Sequence, residues 1–308
     1  MKHFINIKDV PYKTLRKILS DTKKRKDLRK KLKTLEIDKD NPLKGILLIQ
    51  MFEKSSLRTR LSFYLAIRQL GGSALTLRPD ELHLSKGGES LSDTAKILST
   101  YGDIFVLRTD NEKKLNSFKK FLSIPLINGL SPNSHPAQIL SDIFTIEEIT
   151  KKNISRLNIC WIGDSNNVLN SLIEASIKFS FKLNIGCPKN YNPPSEMLRM
   201  IRQKNSKIKI FNNPKVAIKN ADVVLTDKVI SMNDKVNKKK KIKDFLNFRI
   251  NSKLMSLSNK AILLHCLPRG SEITDEVFYG KKSKVWQQAL NRVHVQKSIL
   301  LYCLNKLR

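Results

Sequence analysis

The sequence predicts an α/β fold made of two doubly wound parallel-sheet domains. Short apolar runs, such as residues 46–49 and 103–107, alternate with segments whose apolar residues recur at helical spacing. The same alternation starts again at residues 157–162. A chain of 308 residues suits two domains of about 150 residues each. We therefore expect each half of the chain to build its own parallel sheet.

The first half of the chain begins with a charged amphipathic segment and then alternates between strands and helices. The predicted elements are a helix at 10–35, a strand at 46–51, a helix at about 60–70, a strand starting at 74–77, a helix that begins near Ser90 and a strand at 103–107. Gly71 and Gly72 end the second helix, because glycine suits the position just after a helix. A polar loop at 81–90 separates the second and third of these strands.

The second half repeats the pattern. Its predicted elements are a strand at 157–162, a helix at 168–181, strands at about 183–186, 208–211 and 222–226, an apolar run at 261–264 and a last helix at 285–304. This order is Rossmann-like, but the chain has neither a Gly-x-Gly-x-x-Gly nor a Gly-Lys-Ser/Thr loop. We therefore assign no nucleotide to it.

A Ser/Arg/Thr cluster lies where the strand at 46–51 leads into a helix, and it predicts an anion site. The first backbone N–H groups of a helix lack internal partners and carry partial positive charge, so they bind phosphate. Ser56 and Thr59 add hydroxyl groups, and Arg58 adds a planar guanidinium. A capped helix with solvated arginines is the simpler interpretation. It explains a serine here but not two arginines and a lysine beside apolar residues.

Two more candidate residues occupy the end of a strand and the start of a helix. Arg108 follows the strand at 103–107, where ligand-binding residues gather in doubly wound sheets. His135 precedes Pro136, a residue that suits the first helical turn, so the helix dipole favours neutral imidazole. Such a histidine can donate a hydrogen bond to a carbonyl oxygen that gains negative charge. A solvated arginine and a capping histidine are the alternatives for each residue alone.

The composition limits the class of protein. The net charge of +31, from 58 Lys and Arg against 27 Asp and Glu, is typical of nucleic-acid-binding proteins. The lysines are nevertheless spread along the whole chain, with short basic runs at 23–26 and 238–241, and no zinc-finger, RRM or bZIP pattern accompanies them. We interpret these runs as solvated faces and expect no nucleic-acid partner.

The cysteines and the apolar segments point to a cytoplasmic protein. The four cysteines are widely separated without a Cys-x-x-Cys pair, so we expect neither a zinc site nor a disulfide framework. The N-terminus lacks the apolar region of a secretion signal, and no run approaches the ~18 apolar residues of a membrane span.

The cluster at residues 52–63 resembles the carbamoyl-phosphate motif of the aspartate/ornithine carbamoyltransferases. That motif reads Phe-x-x-x-Ser-Thr-Arg-Thr-Arg-x-Ser-Phe, and all of its named positions except one are matched here. The exception is Leu57, which stands where the ornithine enzymes usually have threonine and resembles the acetyl- or succinylornithine relatives. The resemblance implies that Ser56, Leu57, Arg58 and Thr59 bind carbamoyl phosphate.

Further motifs of the same family follow in order along the chain. The resemblance implies that carbamoyl phosphate is bound by Arg108, by His135 and Gln138 of a His-Pro-x-Gln motif, by Cys266 and Leu267 of a His-Cys-Leu-Pro motif, and by Arg292 of an Asn-Arg pair. The implied catalytic residues among them are Arg108, His135, Cys266 and Arg292. The resemblance assigns ornithine to Asn167 and to Asp227, Ser231 and Met232, which resemble an Asp-x-x-x-Ser-Met-Gly loop with Asn233 in place of glycine. His83 or Lys86 would reach the active site of a neighbouring subunit. The loop after Pro268 is two residues shorter than in many relatives.

The resemblance covers essentially the whole chain and implies an organisation and a reaction. Residues 1–134 would bind carbamoyl phosphate, with the helix at 287–308 packing back on them, and residues 135–286 would bind ornithine. The implied reaction transfers the carbamoyl group of carbamoyl phosphate to the δ-amine of L-ornithine, giving L-citrulline and phosphate. It needs no metal or other cofactor, and it implies a homotrimer, or a multiple of one, in arginine biosynthesis. An N-acetyl- or N-succinylornithine carbamoyltransferase is the alternative within the family, and a basic nucleic-acid-binding protein is the alternative outside it.

Overall fold

The computed structural model describes residues 1–78, 88–204, 207–230 and 237–307. The chain forms two compact units: Met1–Leu140 with Leu290–Arg308 is unit 1, and Ser141–Ala289 is unit 2. Each unit holds its own sheet of parallel strands, which confirms the predicted α/β class with two parallel-sheet domains. The chain passes from one unit to the other within two helices. The predicted limits of the ligand-binding domains, after residues 134 and 286, stay a prediction.

Unit 1 contains a four-stranded parallel sheet in the order β2-β1-β3-β4. Its elements, in chain order, are α1 (Tyr12–Leu28), β1 (Leu47–Phe52), α2 (Leu57–Gln69), β2 (Ser73–Leu77), α3 (Leu91–Tyr101), β3 (Ile104–Arg108), α4 (Glu112–Phe121), β4 (Leu126–Leu130) and the start of α5 (Pro136–Thr150). A parallel bridge between Phe4 and Ile127 extends the sheet beyond β4. Phe52 at the end of β1 lies opposite Arg108 at the end of β3, so the turns that follow these two strands are neighbours.

The first helix is shorter than the sequence predicts. It ends at Leu28, not at residue 35, because the buried side chain of Arg29 turns the chain that follows. The guanidinium of Arg29 donates to the carbonyl oxygens of Lys33 and Glu36 at 2.8 and 2.7 Å. It also donates to the carboxylate of Asp38 at 2.7 Å. Arg25, in the basic run at 23–26, is also buried, whereas Lys23 and Lys24 are exposed, so our expectation of a solvated face is wrong for Arg25.

Unit 2 contains a five-stranded parallel sheet in the order β7-β6-β5-β8-β9. Its elements are β5 (Asn158–Ile162), α6 (Asn167–Phe179), β6 (Lys182–Gly186), α7 (Ser195–Gln203), β7 (Ile208–Phe211), α8 (Pro214–Ala217), β8 (Val223–Thr226), α9 (Lys238–Asp244), α10 (Ser252–Met255), β9 (Ile262–His265), α11 (Asp275–Phe278) and the start of α12 (Val285–Cys303). The central strands β5 and β8 pair with Trp161 opposite Leu225. The turns after these strands are therefore adjacent.

Apolar side chains from the strands form the core of each unit. In unit 1, Ile49, Met51 and Phe105 pack with α3 and α4, and the rings of Phe105 and Phe118 meet edge to face at 5.5 Å. In unit 2, Trp161 of β5 is fully buried. Within the ranges that the structure describes, no helix combines the length and apolar character that a membrane span requires.

Candidate active site

The turn between β1 and α2 is where the sequence predicts an anion site in unit 1. Helix α2 starts at Leu57, so Leu57, Arg58 and Thr59 form its first turn, where backbone N–H groups lack helical partners. Ser56 is the residue before the helix, but its hydroxyl makes no capping hydrogen bond. Instead it accepts a hydrogen bond from Nη1 of Arg108 at 2.8 Å. Capping therefore does not explain this serine.

A second arginine reaches the same turn from α12. Nη2 of Arg292 donates a hydrogen bond to Oγ1 of Thr59 at 2.7 Å, and both side chains are buried. Arg108 and Arg292 thus contact the hydroxyl groups of Ser56 and Thr59 from different elements of unit 1. Their guanidinium groups provide fixed positive charge beside the helix N-terminus, which is the arrangement that binds a phosphate group.

His135 lies in the field of these arginines. Its side chain is 4% exposed, and its pKa is well below the usual 6.5, chiefly because burial disfavours the charged form. The positive charges of Arg292, Arg108 and Arg58 lower this pKa further. A histidine in this setting stays neutral near pH 7 and can donate one ring N–H as a hydrogen bond. Gln138, in the first turn of α5, is buried too.

Sequence reasoning assigned no role to Glu53, which holds the ends of β1 and β3 together. Its carboxylate accepts hydrogen bonds from the Thr109 hydroxyl and the Lys114 ammonium, and its backbone N–H donates to the carbonyl oxygen of Arg108 at 3.0 Å. Next to it, Lys54 pairs with Asp110 at 3.0 Å. The sequence feature that could have identified this residue is a carboxylate inside a cluster of cations.

In unit 2, the turns after β5 and β8 meet through Asn166. This residue caps α6: its Oδ1 accepts from the backbone N–H groups of Val168 and Leu169 at 3.0 and 3.1 Å. Its Nδ2 donates to Oδ2 of Asp227 at 2.9 Å. Asn167, the residue that the sequence analysis selected, is the first residue of α6. Sequence reasoning missed Asn166 because an Asn-Asn pair alone does not say which side chain caps the helix.

The pKa of Asp227 is raised above its usual value because burial disfavours the carboxylate. Hydrogen bonds from the backbone N–H of Lys228 and the amide of Asn166 lower this pKa, while the charge of Glu272 adds to the rise. A partly desolvated carboxylate of this kind gains most from an ammonium group placed beside it.

The segment after β9 carries the His-Cys-Leu-Pro sequence and is anchored by a buried histidine. Nδ1 of His265 accepts from the Leu267 backbone N–H at 2.8 Å, so the proton lies on Nε2, which faces Oε1 of Glu272 at 2.9 Å. Glu272 also accepts from the Gly270 N–H. These hydrogen bonds fix the short segment that follows Pro268. Cys266 between them is buried.

Several predicted site residues have no described position in the structure, and the side chain of one other is exposed. His83, Lys86, Ser231 and Met232 lie outside the described residues, as does Asn233. Leu57 is 69% exposed, so its side chain is not part of the core of unit 1. In each unit, the described candidates lie at the carboxyl ends of parallel strands or on the helices next to them.

Comparisons with known proteins cover both halves of the chain. Residues 2–148 match the family model "Aspartate/ornithine carbamoyltransferase, carbamoyl-P binding domain", and residues 155–303 match "Aspartate/ornithine carbamoyltransferase, Asp/Orn binding domain". The chain is 38% identical over 309 residues to the ornithine carbamoyltransferase of Rhizorhabdus wittichii, covering 99% of both chains. It is 40% identical over 307 residues to that of Rhodopseudomonas palustris, covering 98% of this chain and 96% of the relative.

Solved structures agree with these matches. The ornithine carbamoyltransferase from Pyrococcus furiosus has a TM-score of 0.90 and 34% identity, over 97% of this chain and 96% of that one. The anabolic enzyme from Campylobacter jejuni has a TM-score of 0.88 and 36% identity, over 99% of this chain and 100% of that one. The predicted family and enzyme class are confirmed, and the chain belongs to the aspartate/ornithine carbamoyltransferase family.

Proposed function

We propose that this chain is an ornithine carbamoyltransferase that forms L-citrulline and phosphate from L-ornithine and carbamoyl phosphate. The observation that carries the proposal is a pair of hydrogen bonds at the start of α2: Arg108 donates to Ser56, and Arg292 donates to Thr59. These contacts hold two guanidinium groups at a helix N-terminus. Their positive charge and the hydrogen-bond donors of the helix backbone suit a doubly charged acyl phosphate. The matches to ornithine carbamoyltransferases over nearly the whole chain support the same conclusion.

In this proposal, unit 1 binds the donor. The phosphate group takes hydrogen bonds from Ser56, from the backbone N–H groups of the turn and from the guanidinium of Arg58. Arg292 and Thr59 hold it from the opposite side. Gln138 belongs to the His-Pro-x-Gln motif and holds the carbamoyl group. His83 or Lys86 of a neighbouring subunit completes this set in the assembled enzyme.

The transfer needs no cofactor, because the leaving group is already activated. The neutral δ-amine of ornithine forms a bond to the carbonyl carbon, the bond from that carbon to the phosphate oxygen breaks, and the departing phosphate takes the proton that the amine loses. Negative charge builds on the carbonyl oxygen, where Arg108, His135 and Thr59 stabilise it. Because His135 is neutral, it serves as a hydrogen-bond donor and keeps its proton. Catalysis is then alignment plus charge stabilisation.

In the same proposal, unit 2 recognises ornithine. Asp227 and Cys266 orient the side chain of the substrate, and Asn167, Ser231 and Met232 hold its amino-acid end. The contact from Asn166 to Asp227 supports this assignment, since it fixes the carboxylate.

A citrulline-formation assay tests the proposal directly. The purified chain is supplied with carbamoyl phosphate and, in separate reactions, with L-ornithine, N-acetylornithine, N-succinylornithine, putrescine or L-aspartate. We expect turnover with L-ornithine alone. A preference for an acylated ornithine would establish the alternative that Leu57 favours, whereas carbamoylation of none of the five would reject the proposed function.

We further propose a cytoplasmic homotrimer, or a multiple of one, that serves arginine biosynthesis. The similarity to the anabolic enzyme from Campylobacter jejuni supports the biosynthetic direction. Light scattering on the purified protein checks the assembly, and a monomer that is fully active at nanomolar concentration would contradict it. A complementation test checks the biosynthetic role. The gene should restore growth without arginine to a strain that lacks ornithine carbamoyltransferase activity.

A further inference from the structure

The basic run at 238–241 contains one lysine that differs from the others. Three of its lysines are exposed, as a solvated run should be, but Lys241 is only 3% exposed. Its ammonium lies 2.6 Å from Oδ2 of Asp164, a residue 77 positions earlier in the chain. Our expectation that this run is solvated is therefore wrong for Lys241. A buried ammonium requires a partner such as this carboxylate.

Asp164 is held at each of its oxygen atoms. Oδ2 pairs with Lys241, Oδ1 accepts from the backbone N–H of Ser165 at 2.9 Å, and the backbone carbonyl oxygen accepts from the indole N–H of Trp161 at 3.1 Å. Trp161 is fully buried in the core. The turn that leaves β5 is thus fixed on one side by the core and on the other by the ion pair.

Helix α9, which carries Lys241, is attached to unit 2 by its own contacts. The hydroxyl of Tyr191 donates to Asp244 at 2.9 Å, and the rings of Tyr191 and Phe245 meet at 4.8 Å. The ammonium of Lys241 also lies 5.7 Å from the centre of the Tyr191 ring. Lys241 therefore projects from a supported helix.

The fixed turn continues directly into the groups assigned to ornithine. Asn166 follows Asp164 by two residues, caps α6 and donates to the carboxylate of Asp227. We therefore expect a displacement of Asp164 to shift Asn166 and to weaken its hydrogen bond to Asp227. Neither Lys241 nor Asp164 needs to touch substrate for this effect.

We infer that Lys241 and Asp164 are positioning residues for ornithine: their buried ion pair holds the 164–167 turn so that Asn166 can hold Asp227. This inference rests on the proposed function and adds to it a pair that the family motifs quoted above leave without a role. It predicts a selective effect, since the pair belongs to unit 2 and the phosphate-binding groups belong to unit 1.

The test compares Lys241→Met, Lys241→Arg and Asp164→Asn with two matched controls. Lys239→Met removes an exposed lysine from the same helix. Lys260→Met removes a lysine that is 64% exposed and pairs with Asp222, just before the amino end of β8. For each protein, initial rates give the KM for ornithine and the KM for carbamoyl phosphate, and thermal unfolding gives Tm.

We expect Lys241→Met and Asp164→Asn to raise the KM for ornithine by about 10-fold or more, because each leaves a buried charge without its partner. The KM for carbamoyl phosphate should stay within about two-fold of the parent value, and Lys241→Arg should recover most of the ornithine affinity. Both controls should behave like the parent.

Two outcomes would contradict the role of the ion pair. An unchanged KM for ornithine in a folded variant, or equal rises in both KM values, would overturn the inference. If Lys241→Met does not fold, Asp164→Asn alone decides, because asparagine keeps the side-chain shape and the acceptor for Ser165. A failure of the proposed function is seen separately, as an absence of citrulline formation by the parent protein itself.

Discussion

At the scale of single residues, the hydroxyl groups of Ser56 and Thr59 show how this family motif is used. Serine at the position before a helix usually accepts a hydrogen bond from the helix backbone. Here the hydroxyl of Ser56 meets Arg108, and that of Thr59 meets Arg292. The first-turn N–H groups of α2 therefore keep their capacity to bind an anion.

Arg58→Ala tests the proposed phosphate site. The change removes a guanidinium from the first turn of α2, and each charge-assisted hydrogen bond that this group would make to phosphate is worth about 1.5–3 kcal/mol. We expect the KM for carbamoyl phosphate to rise by about 10- to 100-fold, with a much smaller change in the KM for ornithine.

Arg68→Ala is the matched control for this prediction, since Arg68 lies in the last turn of the same helix, away from its N-terminus. It should leave both Michaelis constants close to those of the parent protein. An Arg58→Ala enzyme that still saturates at the parent concentration of carbamoyl phosphate would contradict the phosphate role.

At the scale of elements, α6 combines a capping function with support of the candidate site. Asn166→Ala should lower stability by about 1 kcal/mol through loss of the cap, and it should raise the KM for ornithine because Asp227 loses its donor. Asn166→Ser separates the two effects. Serine can still cap the helix, but its short side chain does not reach Asp227.

Thermal unfolding and steady-state kinetics on both variants check this separation. Asn111→Ala is a suitable control, because Asn111 caps α4 in unit 1 and should affect stability alone. If Asn166→Ser restores stability and also the parent KM for ornithine, the contact with Asp227 has no functional role.

Helices α1 and α12 meet around one buried carboxylate. Asp38 accepts from Lys297 at 2.6 Å and from Arg29 at 2.7 Å, and Arg25 lies 3.4 Å away. Burial lowers the pKa of Lys297 to about 8, despite the attraction of Asp38. The carboxylate therefore offsets the cost of burying several cations in unit 1.

Asp38→Asn should be more damaging than Lys297→Met. The first change leaves the buried cations without their shared carboxylate, and we expect a loss of about 3–5 kcal/mol in the free energy of unfolding. The second leaves Asp38 paired with Arg29 and should cost less than about 2 kcal/mol. Urea denaturation measures both values. Asp27→Asn, an exposed site on α1, should have little effect, and equal losses at positions 38 and 297 would contradict this account.

Local pattern predicts the strands well and the charged segments poorly. The strand at 208–211 has the predicted bounds, because its apolar residues are flanked by polar ones. Helix α2 starts three residues earlier than we expected, since the polar residues of the turn between β1 and α2 carry no apolar periodicity. The burial of Lys241 depends on a carboxylate 77 residues away, and no local pattern contains that information.

At the scale of the whole molecule, both sheets place their candidate residues at the carboxyl ends of strands. Glu53 and Arg108 lie at the ends of β1 and β3, and Asp227 and Cys266 follow β8 and β9. This arrangement follows from parallel strands, whose helix-capping turns all lie at one edge. Topology therefore predicts at which edge of each sheet the candidate residues lie. The hydrogen-bond partners of Asn166, Glu53 and Glu272 depend instead on side-chain geometry.

The net charge of +31 gives the molecule a positive field that attracts an anionic donor. Salt should therefore lower kcat/KM for carbamoyl phosphate, while its effect on the cationic substrate ornithine should be weaker or opposite. A nucleic-acid-binding protein would instead show tight, salt-sensitive binding to random DNA, and no observation in the described part of the chain requires that function.

The buried His135 makes the stability of the whole molecule depend on pH. Its folded-state pKa lies well below 6.5, so between these two values the unfolded chain binds a proton that the folded chain does not. Stability is then fully present above about pH 6.5 and falls as the pH drops, by up to about 1.4 kcal/mol per pH unit from this one group. His135→Gln removes that contribution and should flatten the acid side of the curve, although it should also lower kcat. Urea denaturation of both proteins between pH 5 and pH 8 measures the difference, and parallel curves would show that His135 is not held neutral by burial and the neighbouring arginines.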